Sequence, residues 1–161
     1  MEADESEMDW AARKTAKELR EAREAAEAME KSKRDARLKD ERGFERFKQL
    51  HARMDEQAKS FSGTIPTQAF EVGEIKQFGG MDCHHFFEVS HTNRERLPMT
   101  ISYRAAPLYE ITVDCGPGPK RRYVLSIGDN GNVFFETPKR QSKTIEELGS
   151  ELLDLWKGAP I

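Results

Sequence analysis

Residues 99–136 read MTISYRAAPLYEITVDCGPGPKRRYVLSIGDNGNVFFE, and apolar side chains recur there at every second position, the period of a strand with one buried face. Met99, Ile101 and Tyr103 alternate with Thr100, Ser102 and Arg104, and Tyr109, Ile111, Val113 and Cys115 with Glu110, Thr112 and Asp114. Tyr123, Leu125 and Ile127 then alternate with Arg122, Val124 and Ser126, and Val133 and Phe135 follow the turn Asp129-Asn130-Gly131. A three-residue loop with Gly131 in the left-handed region pairs Ile127 with Val133 and Leu125 with Phe135, whereas a slip by one sets Ile127 against Asn132. The same reasoning on Pro117-Gly118-Pro119 pairs Val113 with Tyr123 and Ile111 with Leu125, with Asp114 opposite Arg122 on the other face. An antiparallel meander results, with Tyr103, Ile111, Leu125 and Phe135 on its apolar side.

That side needs a cover. Thr144-Ile145-Glu146-Glu147 is a capping box, and Ile145, Leu148, Leu152, Leu155 and Trp156 form an apolar helical stripe behind it. Phe47, Leu50, Met54 and Phe61 supply a second such stripe. Residues 69–78 and 84–90 add strand-like segments. The fold class is therefore α+β: four to six antiparallel strands packed by a C-terminal amphipathic helix and a second helix, preceded by a long charged N-terminal helix.

Charge divides the chain. Of the first 62 positions 31 are charged, against 24 of the remaining 99, and all seven prolines and ten of the eleven glycines fall after residue 62. The first part is helical by propensity, aided by Glu27–Lys31, Glu30–Arg34 and Asp35–Lys39 spacings worth ~0.2–0.5 kcal/mol each. A heptad frame runs from Leu19 through Ala22, Ala26 and Met29, is broken by Lys33, Asp40 and Gly43, and resumes at Phe47. Since glycine costs about 1 kcal/mol inside a helix, Gly43 reads as a joint between helices over 7–41 and 44–60. Two regions follow: residues 1–42, a charged helical arm able to form a coiled coil, and residues 43–161, the α+β domain.

The chain has 161 residues, 26 basic and 29 acidic side chains and a formal charge of −3, so overall charge does not mark a nucleic-acid binder. No apolar run reaches the roughly 18 residues of a membrane span, and the acidic start Met1-Glu2-Ala3-Asp4-Glu5 does not resemble a signal peptide. These features predict a soluble cytoplasmic protein without a membrane partner, whose two cysteines stay reduced.

Chemistry-bearing clusters are sparse. Cys83, His85 and His91 share one face if 83–91 is a strand, which makes them weak candidates for a nucleophile or a metal site, without the spacing of a zinc motif. Cys115 falls in register with Ile111 and Val113, as a core residue does. Gly116-Pro117-Gly118-Pro119-Lys120 lacks the spacing of a phosphate loop, Gly79-Gly80 reads as a turn, and no cofactor fingerprint is present. Extending the meander sets Arg121 across from Lys139 and Lys120 across from Arg140, so that Lys120, Arg121, Arg122, Lys139, Arg140 and Lys143 form a basic corner suited to an anion or nucleic acid. Val124 and Phe134 point to the face opposite the core, and Met8 and Trp10 stand near the start of a charged helix without a local partner; all four are protein-interface candidates.

The reading that absorbs most of these features is a non-enzymatic adaptor that contacts another protein, or itself, through the helical arm and docks through the α+β domain. A nucleic-acid-associated regulator using the basic corner is the alternative, and a Cys/His-dependent or metal-dependent enzyme the second alternative.

Overall fold

A computed structural model of the chain describes residues 2–65, 69–79, 84–92, 97–116 and 120–157, with side chains from Asp9 onward. The first element, α1, is one helix over Glu2–Thr64. It passes through Gly43 unbroken, which corrects the expected joint. The reason is tertiary: Gly43 is buried, and a Cβ there would overlap Tyr103 Oη and lie 2.9 Å from Leu125 Cδ2. Glycine lets the helix backbone lie close against the sheet, and that packing outweighs its propensity cost.

Eight antiparallel strands follow: β1 (Phe70–Val72), β2 (Lys76–Phe78), β3 (His84–His91), β4 (Met99–Arg104), β5 (Glu110–Asp114), β6 (Arg121–Ile127), β7 (Val133–Glu136) and β8 (Ser142–Lys143), then α2 (Ile145–Lys157). The sheet order is β1-β3-β4-β5-β6-β7-β8, with β2 also on β3. The fold is α+β, a meander from β3 to β7 extended by short edge segments, of which β1 and β2 share one edge of β3.

Between β6 and β7 the expected pairs Ile127↔Val133 and Leu125↔Phe135 are present, and Gly131 has φ 80°. Between β5 and β6 the pairs are Ile111↔Tyr123 and Val113↔Arg121, two residues from the expected register. The turn starts early because Asp114 Oδ1 accepts the Gly116 N–H at 3.0 Å and Gly116 takes φ 104°, a local side-chain turn. A two-residue shift preserves side-chain parity, so the buried face is unchanged; Asp114 is not opposite Arg122, whose partner is Thr112. Beyond β7, Arg140 N–H donates to Thr137 O and Thr137 N–H to Gln141 O, and Arg140 has φ 60°. The chain reverses there into β8, so Lys139 and Arg140 sit in a turn and the expected Arg121–Lys139 and Lys120–Arg140 oppositions are not formed.

Contacts divide the chain into two compact units, Met1–Arg37 and Leu38–Ile161. The second begins before residue 43 because Leu38 already packs on the core and Asp40 accepts the Tyr109 hydroxyl. Its core joins Phe47, Leu50, Met54 and Ala58 of α1 to Ile101, Ile111, Leu125 and Phe135 of the sheet and Leu148 and Leu152 of α2. Each large side chain so buried contributes about 1.5–3 kcal/mol before the opposing entropy. The helical stripe steps from Met54 to Ala58, and Gln57 donates to Ser150 Oγ of α2 at 3.2 Å. The capping box is realised as a Glu147 N–H to Thr144 Oγ1 bond of 3.1 Å, and Trp156 Nε1 anchors the other end of α2 on Leu97 O.

In the first unit the helix closes Asp9–Arg13 and Lys17–Glu21 ion pairs at 3.4 and 4.0 Å, while Arg34 reaches Asp35. The expected Glu27–Lys31, Glu30–Arg34 and Asp35–Lys39 pairs are not closed among the described residues; exposed pairs of this kind gain little over solvation, and Lys39 lies over the Tyr109 ring instead. Among the described residues no helix is long and apolar enough to cross a membrane.

Candidate functional site

Two regions carry the groups that sequence singled out: the solvated helix of the first unit and the surface of the α+β unit. In the first unit Trp10, Leu19 and Met29 are 58%, 63% and 61% exposed. Lys14 Nζ lies 4.9 Å from the centre of the Trp10 indole, a cation–π contact that covers one of its faces. The Met8 side chain lies outside the described residues.

On the outer face of the sheet Val124 is 44% exposed, opposite Glu110 and Glu136 in the ladder. Phe134 is half-buried and lies against Gly128. Segments β1 and β2 are at the far edge from β7 and do not cover it.

The basic residues are distributed among acids. Lys120 Nζ is 3.8 Å from Asp114, Arg121 4.0 Å and Lys143 3.9 Å from Glu151, and Arg122 bonds Glu110 through Nε and a terminal nitrogen. Four members of the proposed corner thus face three carboxylates, while Lys139 and Arg140 lie exposed in the turn after β7. Glu110 was not foreseen as a partner. It occupies a solvent-face position of β5 yet is only 5% exposed, bonded by Arg122, which lies diagonal to it on β6.

The histidines do not converge. His85 packs on Phe44 with ring centres 4.3 Å apart, and buried His91 packs near Trp156 at 5.9 Å. Six residues of extended chain separate them by about 20 Å, and Cys83 lies outside the described residues. Among the described residues no group of three or more His, Cys, Asp or Glu side chains is placed to hold a metal. Cys115 is partly buried, and burial pushes its thiol upward, away from thiolate chemistry.

Two features escaped the sequence. A cleft of about 850 Å³ opens between the α1 residues Arg46 and Arg53, the start of β7 and the first turn of α2, a junction of three elements that no linear pattern reports. The other is the Tyr109–Asp40 bond between the loop before β5 and α1. Tyr109 has φ 43°, a left-handed conformation unusual for a bulky residue. Its phenol is pushed up to about 12, first by the bond to Asp40 and then by burial. Tyr103 is pushed up to about 12 by burial, then by the charges of Tyr109 and Asp40. Compared with known proteins, the chain matches no family model, no characterised relative and no solved structure.

Proposed function

We propose that this is a non-enzymatic protein-interaction protein, an adaptor whose N-terminal helix makes the contact and whose α+β domain is the docking module. One observation carries the reading: Trp10, Leu19 and Met29 are each more than half exposed in a helical stretch, residues 9–37, otherwise built of charged and small residues. Large apolar side chains of this kind gain about 1.5–3 kcal/mol each when covered, and tryptophan is enriched at interaction hot spots. The chemistry of the α+β surface agrees, since four of the six corner cations face carboxylates and His85 and His91 are set apart in aromatic packing. Affinity capture with the full chain, against a Trp10→Glu/Leu19→Glu/Met29→Glu variant, tests it. Glutamate keeps the helix while removing the apolar surface. Loss of specific co-purifying proteins in the variant supports the reading; an identical set of proteins with both chains overturns it.

A further inference from the structure

We infer that one face of the first unit, the stripe carrying Leu19 and Met29 and not Trp10, is self-complementary, and that it pairs antiparallel with the same helix of a second copy about a twofold axis beside residue 24. The inference rests on the interaction reading above and names its partner. A twofold contact requires that when residue i meets residue j, j also meets i. The residues at alternating spacings of three and four along this helix meet that condition in size and polarity. Around position 24, Ala22 comes opposite Ala26 and Leu19 opposite Met29, so small side chains meet small ones and long apolar chains meet each other. One step further out, Lys33 comes opposite Thr15 and Ala36 opposite Ala12. All eight are exposed in the single chain, so none is already used in its own core.

The charge within the seam, rather than the flanks, selects the direction. Lys33 is the one charged residue between Ala12 and Ala36 in this stripe. In a parallel, in-register pair it meets its own counterpart across the seam, a like-charge contact at a position where burial makes charge expensive. In the antiparallel pair it meets the Thr15 hydroxyl, with Glu18 beside it on the flank, and symmetry makes this favourable contact twice. At the ends of the seam Asp9 of one copy approaches Arg37 of the other, again twice. A single unfavourable flank contact arises where Arg23 approaches its counterpart at the axis, with Glu27 one turn away in each chain. The seam from Asp9 to Arg37 is about 42 Å long. It is rich in alanine, whose small side chains let helix backbones approach closely but bury modest area, so the pair is expected to be concentration-dependent.

Sedimentation of the full chain from low micromolar to several hundred micromolar tests this. The expected mass rises toward twice the 18.5 kDa of the chain. Leu19→Glu shifts the half-association concentration upward at least tenfold, with circular dichroism confirming unchanged helix content. Glu18→Lys and Lys33→Glu each weaken association several-fold, and the two together restore it to within about threefold of the parent. A single-chain mass at every concentration overturns the inference. So does a doubly swapped chain no better than its single variants, since Glu18 and Lys33 meet only in the antiparallel arrangement. If the chain stays single while the triple glutamate variant of the capture experiment still loses its bound protein, self-pairing is rejected and the adaptor reading stands.

Discussion

Gly43 of α1 lies so close to Tyr103 of β4 that a Cβ at this position would overlap the phenol oxygen and come within 3.2 Å of Tyr103 Cζ. Helix propensity alone favours Gly43→Ala by about 1 kcal/mol. The packing opposes it, because both neighbours a Cβ would meet, Tyr103 and Leu125, are themselves buried within the core cluster. Overpacking of this kind costs about 1–3 kcal/mol, so Gly43→Ala is expected to be net destabilising in urea unfolding. Adding Tyr103→Phe, which removes the overlapped oxygen, recovers part of the loss. A Gly43→Ala protein about 1 kcal/mol more stable than the parent shows that the close approach is not tight.

Alkaline pH loosens the same junction. Tyr103 and Tyr109 are both pushed from 10.0 to about 12, so the folded chain holds these protons more tightly than the unfolded one. Their contribution is fully present below pH 10 and falls as pH rises from 10 toward 12. The urea midpoint is expected to drop through that window, and Tyr109→Phe to flatten part of the drop, the remainder belonging to Tyr103. At pH 7 Tyr109→Phe costs about 0.5–1.5 kcal/mol, the usual worth of one hydrogen bond. Equal alkaline slopes for parent and variant count against the Tyr109–Asp40 bond as a cause.

The places where sequence was legible and where it was not have physical explanations. The β6–β7 register was legible because a one-residue slip at Gly131 would put Asn132 against Ile127 and mix the faces. The β5–β6 register was not, because Ile111 and Val113 are equally good partners for Tyr123: a shift by two changes no face, and the decision falls to the Asp114 side chain and the Gly116 backbone. Continuity of α1 through Gly43 depends on what lies opposite, which propensity does not encode. The basic corner depended on β7 continuing past Glu136, although Pro138, which cannot donate to a ladder, marks the end of pairing there. Exposure of Val124 followed from strand alternation and that of Trp10 from its charged surroundings, whereas the cleft beside Arg46 and Arg53 needed the assembled fold.

Arg122 and Glu110 form the pair with the largest consequence for stability on the outer sheet face. Glu110 is 5% exposed while the Arg122 side chain is 60% exposed, so removing the arginine leaves a nearly buried carboxylate whose Oε2 has lost two N–H donors. Loss of one partner of a fully buried pair costs about 3–5 kcal/mol, and solvent access from the arginine side reduces this to about 1–3 kcal/mol. Arg122→Ala is therefore expected to destabilise clearly, and Glu110→Gln/Arg122→Ala less than Arg122→Ala alone. Lys120→Ala, which opens an exposed pair with Asp114, is expected to change stability by under about 1 kcal/mol. Equal effects for Arg122→Ala and Lys120→Ala in urea unfolding remove the special standing of Glu110.

Salt dependence discriminates the nucleic-acid alternative from the adaptor reading. Five or six phosphate contacts made by a free basic corner give a log–log slope of binding against salt of about −4 to −5. Lys120, Arg121, Arg122 and Lys143 already face Asp114, Glu151 and Glu110, and each must leave a carboxylate before it contacts a phosphate. That exchange cancels much of the gain from counterion release, leaving Lys139 and Arg140 as the corner's remaining charge. The expected slope with a single-stranded polyanion is therefore shallower than about −2, with binding weak even in low salt. A slope near −4 that falls on replacing Arg121 and Arg122 with alanine would show that phosphates outcompete these carboxylates, and would favour the regulator over the adaptor.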